Sequence, residues 1–228
     1  MISAWTPGEK GLDRHDVAGS AIPAAAVWID VLEITPDEEK LLEKLYAVQI
    51  PTREEMQEIE MSSRLYREGS ALFMTSTMLI KTESDLPEKT VVTFIITKER
   101  LITLRYAEPW SFKAFCQRAC RAVDRGGMNA ESILIGLIEA TLERLADMLE
   151  RLDGQLEQWS MGVFQRQVST IDATPVDLQE TLYGVGRLGN ALSKVRESLV
   201  DKHRVVAYAM THAHDWLGKD ATARLRVL

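Results

Sequence analysis

Three groups of residues have the types and spacing that chemistry requires. Gly184-Val185-Gly186-Arg187-Leu188-Gly189 spells the dinucleotide fingerprint, in which glycines let a strand-to-helix turn approach a pyrophosphate. No strand precedes it here, and its surroundings read as one helix. Small residues that let two helices approach closely are the simpler reading. The same glycines lower helix propensity, so this helix must lean on a neighbour. His212-Ala213-His214-Asp215 carries metal-ligand types, but residues two apart diverge on a helix, and a polar loop explains them more simply. Cys116 and Cys120 share a helical face, where a disulfide fits poorly. Two small apolar side chains are the simpler reading. The other histidines, His15 and His203, sit in no strand-to-helix turn that would make a nucleophilic set.

Carboxylates are what remains. The 228 residues hold 34 acidic against 27 basic side chains, a formal charge of -7. Such a surface repels nucleic acid, which needs clustered Lys and Arg. It attracts cations, divalent ones most. Glu143, Asp147, Glu150, Asp153 and Glu157 read as solvated helix faces; Glu143 repels Asp147, and Asp147 attracts Arg151. At 46% hydrophobic and 27% charged, the chain can bury a core. Two thiols in a chain this size suggest a reducing compartment. Residues 1–10 lack the basic and apolar regions of a signal peptide. The longest apolar run, 133–138, falls far short of the roughly 20 residues that span a bilayer.

The elements that must position these residues follow from pattern. Val27 to Val31 reads as a short buried strand. Thr35-Pro36-Asp37-Glu38 reads as a helix start, with Thr35 capping and Pro36 in the first turn. Leu41, Leu42, Leu45 and Val48 then share a face. Thr52 and Glu55 form a capping box for a second helix ending near Ser62. Arg64 to Glu68, Leu72 to Ile80, Thr90 to Thr97 and Leu101 to Tyr106 read as strands, the last three as an antiparallel meander. The run Phe94-Ile95-Ile96 implies burial on both faces, hence helices on both sides of the sheet. One helix spans Ser111 to Arg125, closed by Gly126-Gly127. A very long helix, capped by Asn129, runs to about Gln167, and another from Val176 to about Met210. Residues 212–218 carry loop signals, and 220–228 read as a helix that begins and is cut off. The expected fold class is α+β: an α/β/α sandwich with a mixed or antiparallel sheet, followed by long antiparallel helices. The expected division is 1–127, 128–211 and 212–228.

This order of pieces resembles the cytosolic N-terminal part of CorA-type magnesium/cobalt transporters. Four stretches carry the likeness: Val27-Trp28-Ile29-Asp30; residues 52–60; Val92 to Thr97 with Leu101 to Arg105; and Leu137 to Leu149 with Leu152-Asp153. The family's Gly-Met-Asn motif is spelled by Gly127-Met128-Asn129. No membrane helix precedes it, so it reads as coincidence, with the true motif expected beyond Leu228. The resemblance implies a homopentamer with no enzymatic activity, in the cell inner membrane through later helices, with this part cytoplasmic. It implies that Mg2+ or Co2+ binds between subunits as a regulatory ligand and favours a closed pore. Mg2+ takes oxygen ligands and keeps several waters. Glu58 matches one acidic ligand position, with Gln57 where relatives carry an acid, and Glu139 matches a second. A solvated carboxylate is the plain alternative for Glu58. A zinc transporter of the same architecture, a non-catalytic helical scaffold and a nucleotide-binding enzyme remain as rivals.

Overall fold

A computed structural model describes residues 1–17, 21–120, 128–168, 175–213 and 216–228, with the side chains of 162–168, 175–178 and 180 left aside. Seven strands form one sheet: β1 (Ile2–Gly8), β2 (Gly11–Asp16), β3 (Trp28–Leu32), β4 (Leu65–Glu68), β5 (Ala71–Ile80), β6 (Glu88–Ile96) and β7 (Leu101–Arg105). Their order is β2-β1-β3-β7-β6-β5-β4. β3 and β7 pair in parallel, and every other pair is antiparallel. The expected meander is β5-β6-β7.

The hairpin β1–β2 was not anticipated. β2 is an edge strand carrying Asp13, Arg14, His15 and Asp16, so it reads as a polar loop. Charged edges of this kind block unwanted strand pairing. The turn pairs Gly8 with Gly11 around Glu9-Lys10. Gly11 has φ +127, and a Cβ there would collide with the Ala119 carbonyl oxygen.

Side chains alternate along the strands between two cores. Trp28, Leu72, Met74, Phe94 and Leu101 face one layer, while Ile29, Phe73, Ile95 and Ile102 face the other. The second layer is closed by α1 (Pro36–Tyr46) and the single turn α2 (Arg53–Met56), through Leu42 and Met56. α2 carries the expected capping box, Thr52 with Glu55, and at α1 the expected Thr35 cap is also a full box, with Glu38. The second helix is shorter than expected. It stops at Met56, and a separate turn, α3, spans Met61–Arg64. The intervening run, Gln57 to Glu60, has no apolar stripe to bury, and Ile59 is 89% exposed.

The first layer is closed by α4 (Trp110–Ala119), α5 (Ala130–Val168), α6 (Pro175–His212) and α7 (Lys219–Leu225). Residues 121–127, where α4's expected end falls, lie outside the described residues. Asn129 caps α5, its Oδ1 accepting from the Ser132 backbone N–H at 2.9 Å. Beyond the sheet, α5 and α6 share a small core of Leu145, Met148, Leu152, Leu188, Ala191 and Val195. Gly184 belongs to it: a Cβ there would sit 2.5 Å from the Trp159 ring. The glycine run therefore serves close helix packing at this position, as its sequence context implied.

The contact between α6 and β5 is polar and buried. β4 pairs with β5 only as far as Met74, so the edge beyond it lacks a strand. Side chains from α6 meet that edge. The Asp201 carboxylate accepts the Thr77 backbone N–H at 3.0 Å and the Arg64 guanidinium at 2.8 Å. The Thr77 carbonyl accepts from Ser198 Oγ at 2.9 Å and from Lys202 Nζ at 2.6 Å. Lys202 also donates to Ser76 Oγ at 2.9 Å and is 1% exposed. Burial pulls its ammonium down to about 7, against an opposing pull from Asp201. Between about pH 7 and the ordinary lysine value near 10.4, the unfolded chain binds a proton that the folded one does not. Stability therefore rises with pH across that window, with a slope approaching about 1.4 kcal/mol per pH unit. We expect Lys202→Met to flatten this rise in urea titrations between pH 7 and 10. Parallel curves for the two proteins would show that Lys202 is charged throughout.

Candidate functional site

The two carboxylates singled out by resemblance lie on opposite layers. Glu58 follows α2 and belongs to the layer anchored by Met56. Its backbone N–H donates to the Glu55 carbonyl at 3.1 Å, continuing the turn by one residue. Glu55 itself is used: its Oε2 accepts from the Thr52 N–H at 2.8 Å and from Thr52 Oγ1 at 3.0 Å. Glu54, Glu58 and Glu60 are exposed, and no hydrogen bond or ion pair engages the Glu58 carboxylate among the described residues. Arg53, at the start of the turn, instead lies 5.1 Å from the Tyr106 ring centre. The result is a protruding acidic tip, with Ile59 as an exposed apolar point between Glu58 and Glu60.

Such a tip offers carboxylate oxygens to a hard cation, which binds oxygen and retains water. One carboxylate with free oxygens fits one ligand position. It does not make a site alone, and no cluster of three or more metal-ligating side chains occurs among the described residues.

Glu139 is placed differently. It sits on the α5 face that receives α7. Both of its oxygens are taken by Arg224, at 3.1 Å to Nε and 2.6 Å to Nη2. A second contact fixes the same helix, since the Gly218 N–H donates to Glu131 Oε2 at 2.9 Å. Ala221 and Leu225 are buried in the first-layer core. Sequence reading missed this pair, because Arg224 lies 85 residues away with no periodicity to link them. For Glu139 to ligate a cation, Arg224 must release at least one oxygen. One chain does not bring Glu58 and Glu139 together, so a shared ion requires a second copy.

The remaining chemical groups are accounted for by packing. Cys116 and Cys120 are free. Burial pushes the Cys116 thiol up to about 12, so it is a poor nucleophile at neutral pH. His212 Nδ1 lies 3.0 Å from the Tyr208 carbonyl oxygen, and its ring stacks on Tyr208. His214 and Asp215 lie outside the described residues. The Asp30 carboxylate and the Arg105 guanidinium, both buried, form a two-point ion pair at 2.9 and 2.8 Å across the parallel strands β3 and β7. No described helix is long and apolar enough to cross a membrane.

Known proteins share this architecture. Residues 23–228 match the family model described as CorA-like Mg2+ transporter protein. The magnesium transport protein CorA of Wolinella succinogenes is 31% identical over 214 residues, covering 90% of this chain and 64% of that protein. The chain thus spans just under two thirds of that relative's length. Among solved structures, the soluble domain of CorA from Methanocaldococcus jannaschii superposes with a TM-score of 0.73 at 12% identity, over 99% of this chain and 85% of that one. The ZntB cytoplasmic domain from Vibrio parahaemolyticus gives 0.63 at 12% identity, over 99% and 88%. At such identities the likeness is one of fold.

The Arg224–Glu139 pair is partly exposed, and such pairs contribute at most about 1 kcal/mol. We expect Arg224→Ala to lower stability by no more than about that in urea unfolding, while chymotrypsin cuts the segment after residue 216 sooner. A loss of about 3 kcal/mol or more would instead make the pair a structural requirement.

Proposed function

The chain belongs to the CorA-like Mg2+ transporter family, and from that premise we propose that it is the regulatory part of a divalent cation transporter. Mg2+ or Co2+ is the cargo. The pore belongs to membrane helices that follow this part in the whole protein, in the inner membrane, and this part lies in the cytoplasm. Five copies assemble around the pore. Mg2+ held between copies favours the closed state, and its loss releases them. The family is one of transporters, and no catalytic step is assigned to these residues.

The observation that carries this reading is the acidic tip. Glu58 presents an unengaged carboxylate beside an exposed Ile59, on the layer opposite Glu139. A chain of charge -7 repels its copies, and a divalent ion between carboxylates of two copies reverses that repulsion. A ligand that binds one arrangement better than another shifts the population toward it. Glu58 is one oxygen donor of such an ion. Glu139 is the second candidate donor on the neighbouring copy, once Arg224 yields an oxygen.

A zinc transporter is the second reading, supported by the fold likeness to the ZntB domain. The donor chemistry favours magnesium. The tip offers oxygen alone, and neither His nor Cys occurs between residues 52 and 64, whereas protein zinc sites rely on nitrogen and sulfur.

Sedimentation velocity of this chain across a Mg2+ series tests the reading. We expect Mg2+ to raise the assembled fraction, and Glu58→Ala to need at least about three times more Mg2+ for the same effect, as loss of one ligand implies. Identical responses in the two proteins would remove Glu58 from the site. A response to micromolar Zn2+ but not to millimolar Mg2+ would favour the zinc reading.

A further inference from the structure

A cavity of about 550 Å3 opens between α4 and the β2-β1-β3-β7 half of the sheet. That volume lies within the range of about 300–1,000 Å3 typical of small-molecule sites. It is remote from the Glu58 tip, on the other layer. Nothing in the transporter reading uses it.

Its lining departs from the rest of the chain in charge. Arg14, Lys81, Arg105, Lys113 and Arg144 face Asp30, Glu83 and Glu108. Five basic and three acidic side chains line it, in a chain of -7, though Arg14 also pairs with Asp16 at 2.8 Å and Lys81 with Glu88 at 2.6 Å just outside. Two of the acids are engaged within the cavity. Both Asp30 oxygens are held by Arg105, and Oδ1 also accepts Thr103 Oγ1 at 2.8 Å. Glu83 pairs with Arg144 at 3.2 Å. Glu108 makes no hydrogen bond or ion pair among the described residues, though its charge acts on Arg105.

Some donors are left over. A guanidinium carries five N–H groups. Asp30 takes two from Arg105, and the Ala107 carbonyl takes a third at 2.8 Å. Two remain without an acceptor among the described residues. Lys113, exposed on α4, has no hydrogen-bond or ion-pair partner among the described residues. Trp5 also lines the cavity and is 3% exposed, its indole Nε1 being fully covered and without a hydrogen-bond partner among the described residues. The Arg14 guanidinium lies 5.8 Å from that indole and so keeps its charge beside the cavity.

We propose that this cavity binds the oxyanion group of a small molecule, a phosphate or a carboxylate, held by Arg105, Lys113 and Arg14. Planar guanidinium donors match two oxygens of either group, and the lysine adds a point charge. Trp5 gives the site an apolar wall. Lys113 comes from α4 and Arg105 from β7, so an occupied cavity would tie that helix to the sheet.

Calorimetry and tryptophan fluorescence on the 228-residue chain test this, with inorganic phosphate, AMP and citrate as probes and chloride at matched ionic strength as control. We expect saturable binding of at least one probe, with Lys113→Glu weakening it at least tenfold and Lys113→Gln less, at an unchanged melting temperature. Binding by phosphate and AMP alone assigns a phosphate ligand; binding by citrate alone assigns a carboxylate. Responses no larger than those to chloride would overturn the proposal, as would an affinity unaltered by both variants. Neither result bears on the Glu58 tip, whose Mg2+ response is measured separately.

Discussion

The structure depends on how one sheet edge is satisfied. β5 is the longest strand, and β4 covers it only as far as Met74. Past that point its backbone would need water or another strand, and an open edge invites pairing with other chains. Helix α6 fills the gap with side chains. Asp201 takes the N–H of Thr77, and Ser198 and Lys202 supply donors to its carbonyl. Arg64, from the turn before β4, completes the charge pairing. Burying these charges carries a desolvation penalty, which the fold meets by giving each several partners. The arrangement fixes both the position and the rotation of α6 on the sheet, which apolar packing alone would leave freer.

Everything farther out is registered by that contact. With α6 held at residues 198–202, its N-terminal half lies against α5, where Gly184 admits the Trp159 ring. The α5 helix is held in turn by α4 and α7, through the first-layer core and through the Arg224–Glu139 pair. A force applied to the long helices therefore reaches the sheet through the first-layer apolar core and through these buried polar bonds. On the other layer, the acidic tip rests on a capped single turn and Met56, free to meet a neighbour.

Much of this was legible in the sequence, for identifiable reasons. The β-branched run from Thr90 to Thr97 and the threonine caps at 35 and 52 are local signals; the run and the first cap produced the expected elements, and the second opened only a single turn. The lengths of α5 and α6 followed from uninterrupted apolar periodicity. The hairpin β1–β2 was hidden because β2 is polar on an edge, so alternation gave no cue beyond Gly8 and Gly11. Lys202 was hidden for the opposite reason. The run Val200-Asp201-Lys202-His203-Arg204 reads as a solvated helix face, and only the tertiary contact with Thr77 shows that two of its charges are buried. Glu139 was legible as an acid on α5, but its partner was not, since ion pairs between distant helices leave no pattern in sequence. The cavity beside α4 combines residues from four strands, two loops and two helices, a convergence that no linear motif encodes.

The direct measurement of the central claim is amide hydrogen exchange at Thr77, followed by NMR. A helix carboxylate standing in for a missing strand should protect this amide nearly as well as a paired core amide such as that of Phe94, close to the limit set by global unfolding. Replacing Asp201 with Ala should then speed exchange at Thr77 far more than at Phe94. Exchange at Thr77 as fast as in the exposed turn at Gly69, in the unaltered chain, would contradict the account.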